Sequence, residues 1–293
     1  MLNIIENADL KNFCTFRIGG HAKYFVMPKN VDELAEAIQF AKSNNLSILA
    51  VGGGSNLLFP DQDLEALVIR VAIQGIEQLD ETHIKVGSGT NWVQLLKYCE
   101  QNQLYGLEAF SGLPGLVGGA VYGNAGAHGV EMKDVITEIE VLDIKTSQIQ
   151  TISPAQYQGE YRHSMFKDNK HLIILNCTFK LSKNQNDNTG NPQDFSDFRK
   201  QNQPQGLTTG SFFKNPLNDH AGKLIEEVGL KGYQIGDITT SDKHANFFLN
   251  LGNGTADQVE ELKNHIIQEV QNQKQVTLEP EVQIIDVNQL PRA

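Results

Sequence analysis

The stretch Gly112-Leu113-Pro114-Gly115-Leu116-Val117-Gly118-Gly119-Ala120 sits amid eight glycines spread over residues 106–129. A second run, Val51-Gly52-Gly53-Gly54-Ser55-Asn56-Leu57-Leu58, follows the apolar segment Leu46–Val51, which reads as a buried strand. Consecutive glycines at a strand end let backbone N–H groups converge on an anion without side-chain obstruction. Ser55 and Asn56 would add side-chain donors. For the triplet alone, tight turns are an equally good reading, because glycine commonly punctuates strand ends. The denser cluster points further, to backbone packed against a flat, bulky cofactor. Sixteen of the 26 glycines precede residue 130, so this chemistry belongs to the N-terminal part.

The familiar phosphate fingerprints do not fit. A P-loop needs Gly-Lys-Ser/Thr, and no lysine follows Gly54. A dinucleotide GxGxxG would need glycine where Leu57 stands, and Gly87-Ser88-Gly89 lacks its third glycine. The net charge of −11 argues against a nucleic-acid binder, which needs a basic stripe to release counterions. The stretch between Glu108 and Glu131 carries too many glycines for a spanning helix, so no membrane insertion is expected. Residues 1–14 have no apolar core of a secretory signal. Cys14, Cys99 and Cys177 are widely spaced and read as buried reduced thiols, which places the chain in the cytoplasm. No His/Cys spacing supports a metal, and no obligate protein partner is evident.

Coarse patterning gives mixed elements. Asn30 with Glu33 predicts a helix start before Val31, Leu34, Ala35, Ile38 and Ala41. Trp92 to Gln101 reads as a helix capped by Thr90 or Asn91. Strands are expected at 66–71, 83–86, 135–144 and 172–181. Residues 182–206 are dominated by Asn, Gln, Asp, Ser, Gly and Pro, and read as a polar linker or loop. Helices at 219–228 and from Thr255, with strands at 246–251 and 282–287, predict a second compact unit. The expected division is 1–181 and 207–293, split by that linker.

Six motifs, taken in order, resemble the UDP-N-acetylenolpyruvoylglucosamine reductases. They are Phe16-Arg17-Ile18-Gly19-Gly20, residues 52–58, residues 112–120 with Asn124-Ala125-Gly126-Ala127, and Tyr161-Arg162-His163-Ser164-Met165-Phe166-Lys167. Gly210-Ser211-Phe212-Phe213-Lys214-Asn215-Pro216 and Leu278-Glu279-Pro280-Glu281-Val282 complete the set. The resemblance covers about residues 10 to 287. It implies an α+β protein: an FAD-binding domain of the vanillyl-alcohol-oxidase type with two α/β subdomains, then a smaller α+β substrate-binding domain. Departures are small: Cys14 stands where threonine is usual, and Thr208-Thr209 where Ser-Ala is common. The interval from Arg162 to Ser211 lacks the insertion of the longer subclass, whose tyrosine covers the substrate. The chain is thus similar to the shorter subclass.

The resemblance implies reduction of UDP-N-acetylglucosamine enolpyruvate to UDP-N-acetylmuramate by NADPH through non-covalent FAD, in peptidoglycan precursor synthesis. It implies FAD contacts from Gly52, Gly53, Gly54, Ser55, Asn56 and Leu57, and from Ser111, Gly112, Pro114, Gly115, Gly118, Gly119, Asn124 and Gly126. Arg162, Ser211 and Glu281 take the catalytic positions. Arg162 offers a fork for a carboxylate, Ser211 a hydroxyl proton, and Glu281 a shared proton or an oriented water. Tyr161, Lys214 and Asn215 are expected against the nucleotide-sugar. Another oxidoreductase on the same flavin fold, or a non-catalytic nucleotide-sugar binding module, is the alternative.

Overall fold

The computed structural model describes residues 2–292. The chain opens with β1 (Ile5–Asp9), β2 (His21–Val26), α1 (Val31–Ser43), β3 (Ser47–Val51), the short β4 (Leu57–Leu58) and β5 (Leu64–Arg70). The first sheet runs β1-β2-β5-β3, with β5 parallel to both β2 and β3. Asn30 caps α1 by accepting from the Glu33 N–H, as its sequence predicts, and Leu34, Ala37, Ile38 and Ala41 form the buried stripe. β3 ends at Val51 and hands the chain directly to the glycine triplet.

A second sheet follows from β6 (Ile76–Gln78), β7 (His83–Gly87), α2 (Trp92–Gln101) and α3 (Val117–Tyr122) onward. The chain continues through a two-residue ribbon of β8 (Gly126–Ala127) and β9 (Val130–Glu131), then α4 (Met132–Val135), β10 (Ile136–Asp143), β11 (Gln148–Ile152), α5 (Pro154–Tyr157) and β12 (Leu172–Lys180). Its strand order is β11-β10-β12-β7-β6, antiparallel throughout. Asn91, not Thr90, caps α2. Two glycines make α3 a poor helix by propensity; bonds from the Val117 and Gly118 N–H groups to Thr90 and Ser88 carbonyls fix its start. One apolar cluster joins the two sheets, bringing Ile48, Leu67 and Ile69 against Leu142, Ile173 and Leu175.

The rest comprises α6 (Pro192–Asn202), α7 (Ala221–Glu227), the three-stranded sheet of β13 (Gln234–Ile235), β14 (Ile238–Thr240) and β15 (Phe248–Asn250), α8 (Ala256–Lys274) and β16 (Gln283–Ile284). Thr255 and Gln258 form the expected capping box on α8. Its core takes in Phe16, Ile18 and Leu58 from the N-terminal part. β16 pairs in parallel with β4, Gln283 opposite Leu57, so the C-terminal chain is stitched to the glycine-rich loop.

Residues 182–206 differ from the expected loop. Asn191 accepts from the Gln193 N–H and Pro192 occupies the first turn, a strong helix start within a polar segment. The segment then docks: Phe195 packs on the His128 ring at 4.5 Å, and Arg199 Nε donates to the Ser111 carbonyl at 3.0 Å. The buried Glu108 carboxylate accepts from both the N–H and the hydroxyl of Thr189. Tertiary contacts supply the order that composition withholds.

Candidate active site

A cleft of about 520 Å³ runs between the two glycine clusters and the C-terminal unit. Gly52, Gly53, Gly54, Ser55, Asn56, Leu57, Pro114, Gly118, Gly119 and Gly126 line it, as do Arg162, Ser211 and Glu281. Four cations (Arg162, Lys167, Lys170, Arg199) face it against the two carboxylates Glu281 and Asp286. An acidic chain thus carries one locally basic cavity, suited to a phosphorylated ligand.

Several features fit the FAD that the motifs imply. The glycine loops stand back to back: a Cβ on Gly53 would lie 2.7 Å from the Gly115 Cα, which forbids any side chain there. A Cβ on Gly119 would meet nothing within 4 Å and would project into open cleft instead. Among the described residues, the backbone N–H groups of Gly53, Gly54, Ser55 and Asn56 find no protein acceptor. The Ser88 and Thr209 hydroxyls line the same cleft, buried and unpaired. Buried donors are normally satisfied, so this set calls for a polar ligand.

Not every expected contact faces the cleft. Asn124 is fully buried behind its wall, with φ 45, and its amide is consumed internally. It donates to Glu131 and to the Glu160 carbonyl, and accepts from the Lys133 N–H. Ser111 and Gly112 pack against Arg199, and Gly115 backs the Gly53 loop. These four support the wall rather than line it. Gly126 does line it, and its missing side chain also admits Arg162, whose Nη1 would sit 2.9 Å from a Cβ there.

Three short segments converge on Glu281. Ser211 bridges Phe247 and Phe213 bridges Pro280, so residues 211–213 are tied on two sides, to the segments around Phe247 and Pro280. The Glu281 N–H donates to the Phe212 carbonyl at 2.8 Å, which sets Glu281 beside Ser211. The Glu281 carbonyl accepts from the Asn56 amide at 3.3 Å, tying both to the glycine loop. Its side chain accepts from Arg162 Nε at 2.9 Å, while Arg162 Nη2 donates to the Gly126 carbonyl at 3.1 Å. Burial pushes the Glu281 carboxyl above its ordinary value, against the pull of Arg162, Lys167 and Lys214.

Tyr161 and Asn215 lie outside the cleft lining and meet each other, the Asn215 N–H donating to the tyrosine oxygen at 3.3 Å. The Asn215 side-chain oxygen accepts from the Ala221 N–H and so is engaged in starting α7. Lys214 Nζ lies 3.2 Å from Glu279 and stands outside the cleft lining. Lys167 and Arg199 line the cleft but were not singled out by sequence reasoning. Lys167 lies inside the quoted Tyr161–Lys167 motif, which was the available signal; Arg199 had none, being placed by the docking of α6.

Among the described residues no cluster of three or more His, Cys, Asp or Glu could hold a metal. No helix among them is long and apolar enough to cross a membrane. All three cysteines are free and buried.

The FAD binding domain family matches residues 22–153, and the family described as UDP-N-acetylenolpyruvoylglucosamine reductase, C-terminal domain, matches residues 202–285. A UDP-N-acetylenolpyruvoylglucosamine reductase of Caldicellulosiruptor saccharolyticus is 38% identical over 99% of this chain and 94% of its own length. That of Chlamydia abortus is 40% identical over 96% and 94%. The crystal structure of UDP-N-acetylenolpyruvylglucosamine reductase from Thermus caldophilus superposes with a TM-score of 0.80 at 30% identity, covering 98% of this chain and 99% of that one. Two domain matches in the right order and near full-length identity above 30% leave one assignment: the chain belongs to the UDP-N-acetylenolpyruvoylglucosamine reductase family.

Proposed function

We propose that this protein reduces UDP-N-acetylglucosamine enolpyruvate to UDP-N-acetylmuramate with NADPH and FAD, in the cytoplasm, as a step of peptidoglycan precursor synthesis. The observation that carries this reading is the Arg162–Glu281 pair at 2.9 Å, set beside Ser211 in a cleft whose other wall is the two glycine loops. Gly53, Gly54, Ser55, Asn56 and Gly119 would hold the FAD through backbone N–H groups, with the Ser88 and Thr209 hydroxyls as further donors. Bound there, FAD would take a hydride from the nicotinamide and later supply one to the terminal CH₂ carbon of the enol ether.

The protein's own work is electrostatic and protonic. Adding hydride to the CH₂ carbon leaves negative charge on the neighbouring carbon, delocalised into the substrate carboxylate. Arg162 lines the cleft with Nε and Nη2 engaged and Nη1 without a protein acceptor among the described residues, so the guanidinium can meet that carboxylate as charge grows. The Ser211 hydroxyl gives the proton that completes the C–H bond; a hydroxyl is a weak acid, and suffices only for so basic a carbon. Glu281, held partly toward its neutral form by burial, accepts or relays a proton and keeps Arg162 aimed. Tyr161, Lys214 and Asn215 would meet the nucleotide-sugar. The domain limits proposed from the sequence, 1–181 and 207–293, place the glycine loops and Arg162 in one unit and Ser211 and Glu281 in the other.

The test is spectroscopic. Purified protein should show flavin absorbance, lose it on anaerobic NADPH addition, and regain it on adding the enolpyruvyl nucleotide. A flavin that NADPH bleaches but the nucleotide never restores would rule the substrate out and favour another oxidoreductase on this fold.

A further inference from the structure

Tyr161 and Arg162 form the corner of a tight turn. Its flanks are tied by paired bonds, Glu160 N–H to the His163 carbonyl at 3.0 Å and His163 N–H to the Glu160 carbonyl at 3.1 Å. Arg162 has φ 56, the left-handed region that bulky L-residues rarely occupy. An arginine there needs holding. Its guanidinium is fixed by Glu281 and the Gly126 carbonyl, and its own carbonyl accepts from Lys167 Nζ at 2.7 Å.

Lys167 comes from a rigid platform. Met165–Lys167 form a single helical turn capped by Ser164, whose hydroxyl donates to the Tyr122 carbonyl at 2.6 Å. Phe166 beside it is fully buried. A lysine at a surface normally extends its ammonium into water. This one turns inward, lines the cleft and spends a proton on a neutral carbonyl.

We propose that Lys167 is a positioning residue for the reaction: its ammonium clamps the Arg162 carbonyl and so holds the turn that aims the guanidinium at Glu281 and the substrate carboxylate. The inference rests on the reading above, in which Arg162 and Glu281 serve the substrate-dependent step. The charged groups facing Lys167 are Arg162, Lys214, Glu281 and Asp168. Those facing Glu281 are Arg162, Lys167 and Lys214. Removing the lysine therefore also takes a cation from Glu281, and moves its carboxyl further up.

The experiment uses the flavin-loaded Lys167→Met enzyme and measures the two halves of the reaction separately under anaerobic conditions. Bleaching by NADPH should stay within about twofold of wild type, while restoration by the enolpyruvyl nucleotide should slow by about 10- to 100-fold, the usual effect of losing a residue that orients a reacting group. The pH at which the substrate-dependent step changes should rise relative to wild type, which a purely structural residue would not cause. Lys167→Cys treated with 2-bromoethylamine rebuilds an ammonium of nearly the same length, and should recover most of the lost rate. Unchanged restoration by substrate, an equal fall in both halves, or no recovery after alkylation would overturn the proposal. Where Lys167→Met yields no flavoprotein, Lys167→Gln takes its place; loss of flavin in both assigns the lysine to the fold instead. If wild-type enzyme itself is never reoxidised by the nucleotide, the substrate reading fails, and the variants' flavin spectra and stability still report on Lys167.

Discussion

Arg162 and Glu281 lie 119 positions apart, yet Nε donates to Oε1 across 2.9 Å. The backbone of Glu281 is engaged as well: its N–H with the Phe212 carbonyl, its carbonyl with the Asn56 amide. The residue therefore joins the Arg162 turn, the Ser211 strand and the glycine loop. Glu281→Gln keeps the shape and removes the charge. Bleaching of the flavin by NADPH should be preserved and substrate-dependent restoration slowed by roughly 100-fold, within the range for a lost acid–base group. Glu279→Gln, two residues away and exposed against Lys214, is the control, and its effect should be far smaller. Equal effects from the two would remove Glu281 from the chemistry.

Ser211→Ala tests the proton. Ser211 lies beside the Arg162–Glu281 pair and its backbone is pinned by the bridge to Phe247, so the substitution removes the hydroxyl and leaves the backbone in place. The variant should remain yellow and NADPH-reducible, with the substrate-dependent step down by about 100- to 10,000-fold. Loss of bound flavin on purification would transfer Ser211 to a structural role.

The sequence displayed most of this unevenly. Caps were legible: Asn30, Asn91 and Thr255 each start a helix where their side chains satisfy a free N–H. The glycine clusters pointed to a flat cofactor, and the cleft opens beside both of them, although the triplet by itself reads equally well as a turn. For Asn124 the motif marks a position without saying which way its side chain points; here the side-chain amide is spent on Glu131, Glu160 and Lys133 behind the cleft wall. α6 was hidden because its stability comes from His128 and Ser111, far away in sequence. Arg199 was hidden for the same reason, whereas Lys167 had a signal in the Tyr161–Lys167 motif; a lysine or arginine in sequence usually means solvent, and the fold turns these two into the cleft.

The pH behaviour of Glu281 has a definite sign. Its folded-state pKa is raised by burial, so between the ordinary glutamate value near 4.5 and that higher value the folded protein holds more protons than the unfolded chain. This residue's contribution to stability is thus greatest in acid and is lost as pH rises through the folded pKa. Glu281→Gln removes the dependence. The difference in Tm between variant and wild type, measured on flavin-free protein, should climb as pH rises from 4.5; a difference that falls instead would show that the Arg162 charge outweighs burial.

Gly53 and Gly119 separate fold from cofactor within one cradle. At Gly53 a methyl group would sit 2.7 Å from the Gly115 Cα, a backbone atom with no rotamer to escape by. Gly53→Ala must pry the two loops apart, and should cost about 1–3 kcal/mol of stability as an overpacking change, even in flavin-free protein. At Gly119 the same methyl group meets nothing and points into the cleft from within α3. There alanine is the better helix former, by up to about 1 kcal/mol, so flavin-free Gly119→Ala should melt no lower than wild type. Its flavin affinity should nonetheless fall by about 10-fold or more, because the methyl group occupies space that the bound ring system or its phosphates would take. Denaturation of the apoproteins and flavin titration by fluorescence quenching measure the two quantities independently. If Gly119→Ala binds flavin as tightly as wild type, the cofactor does not lie against α3.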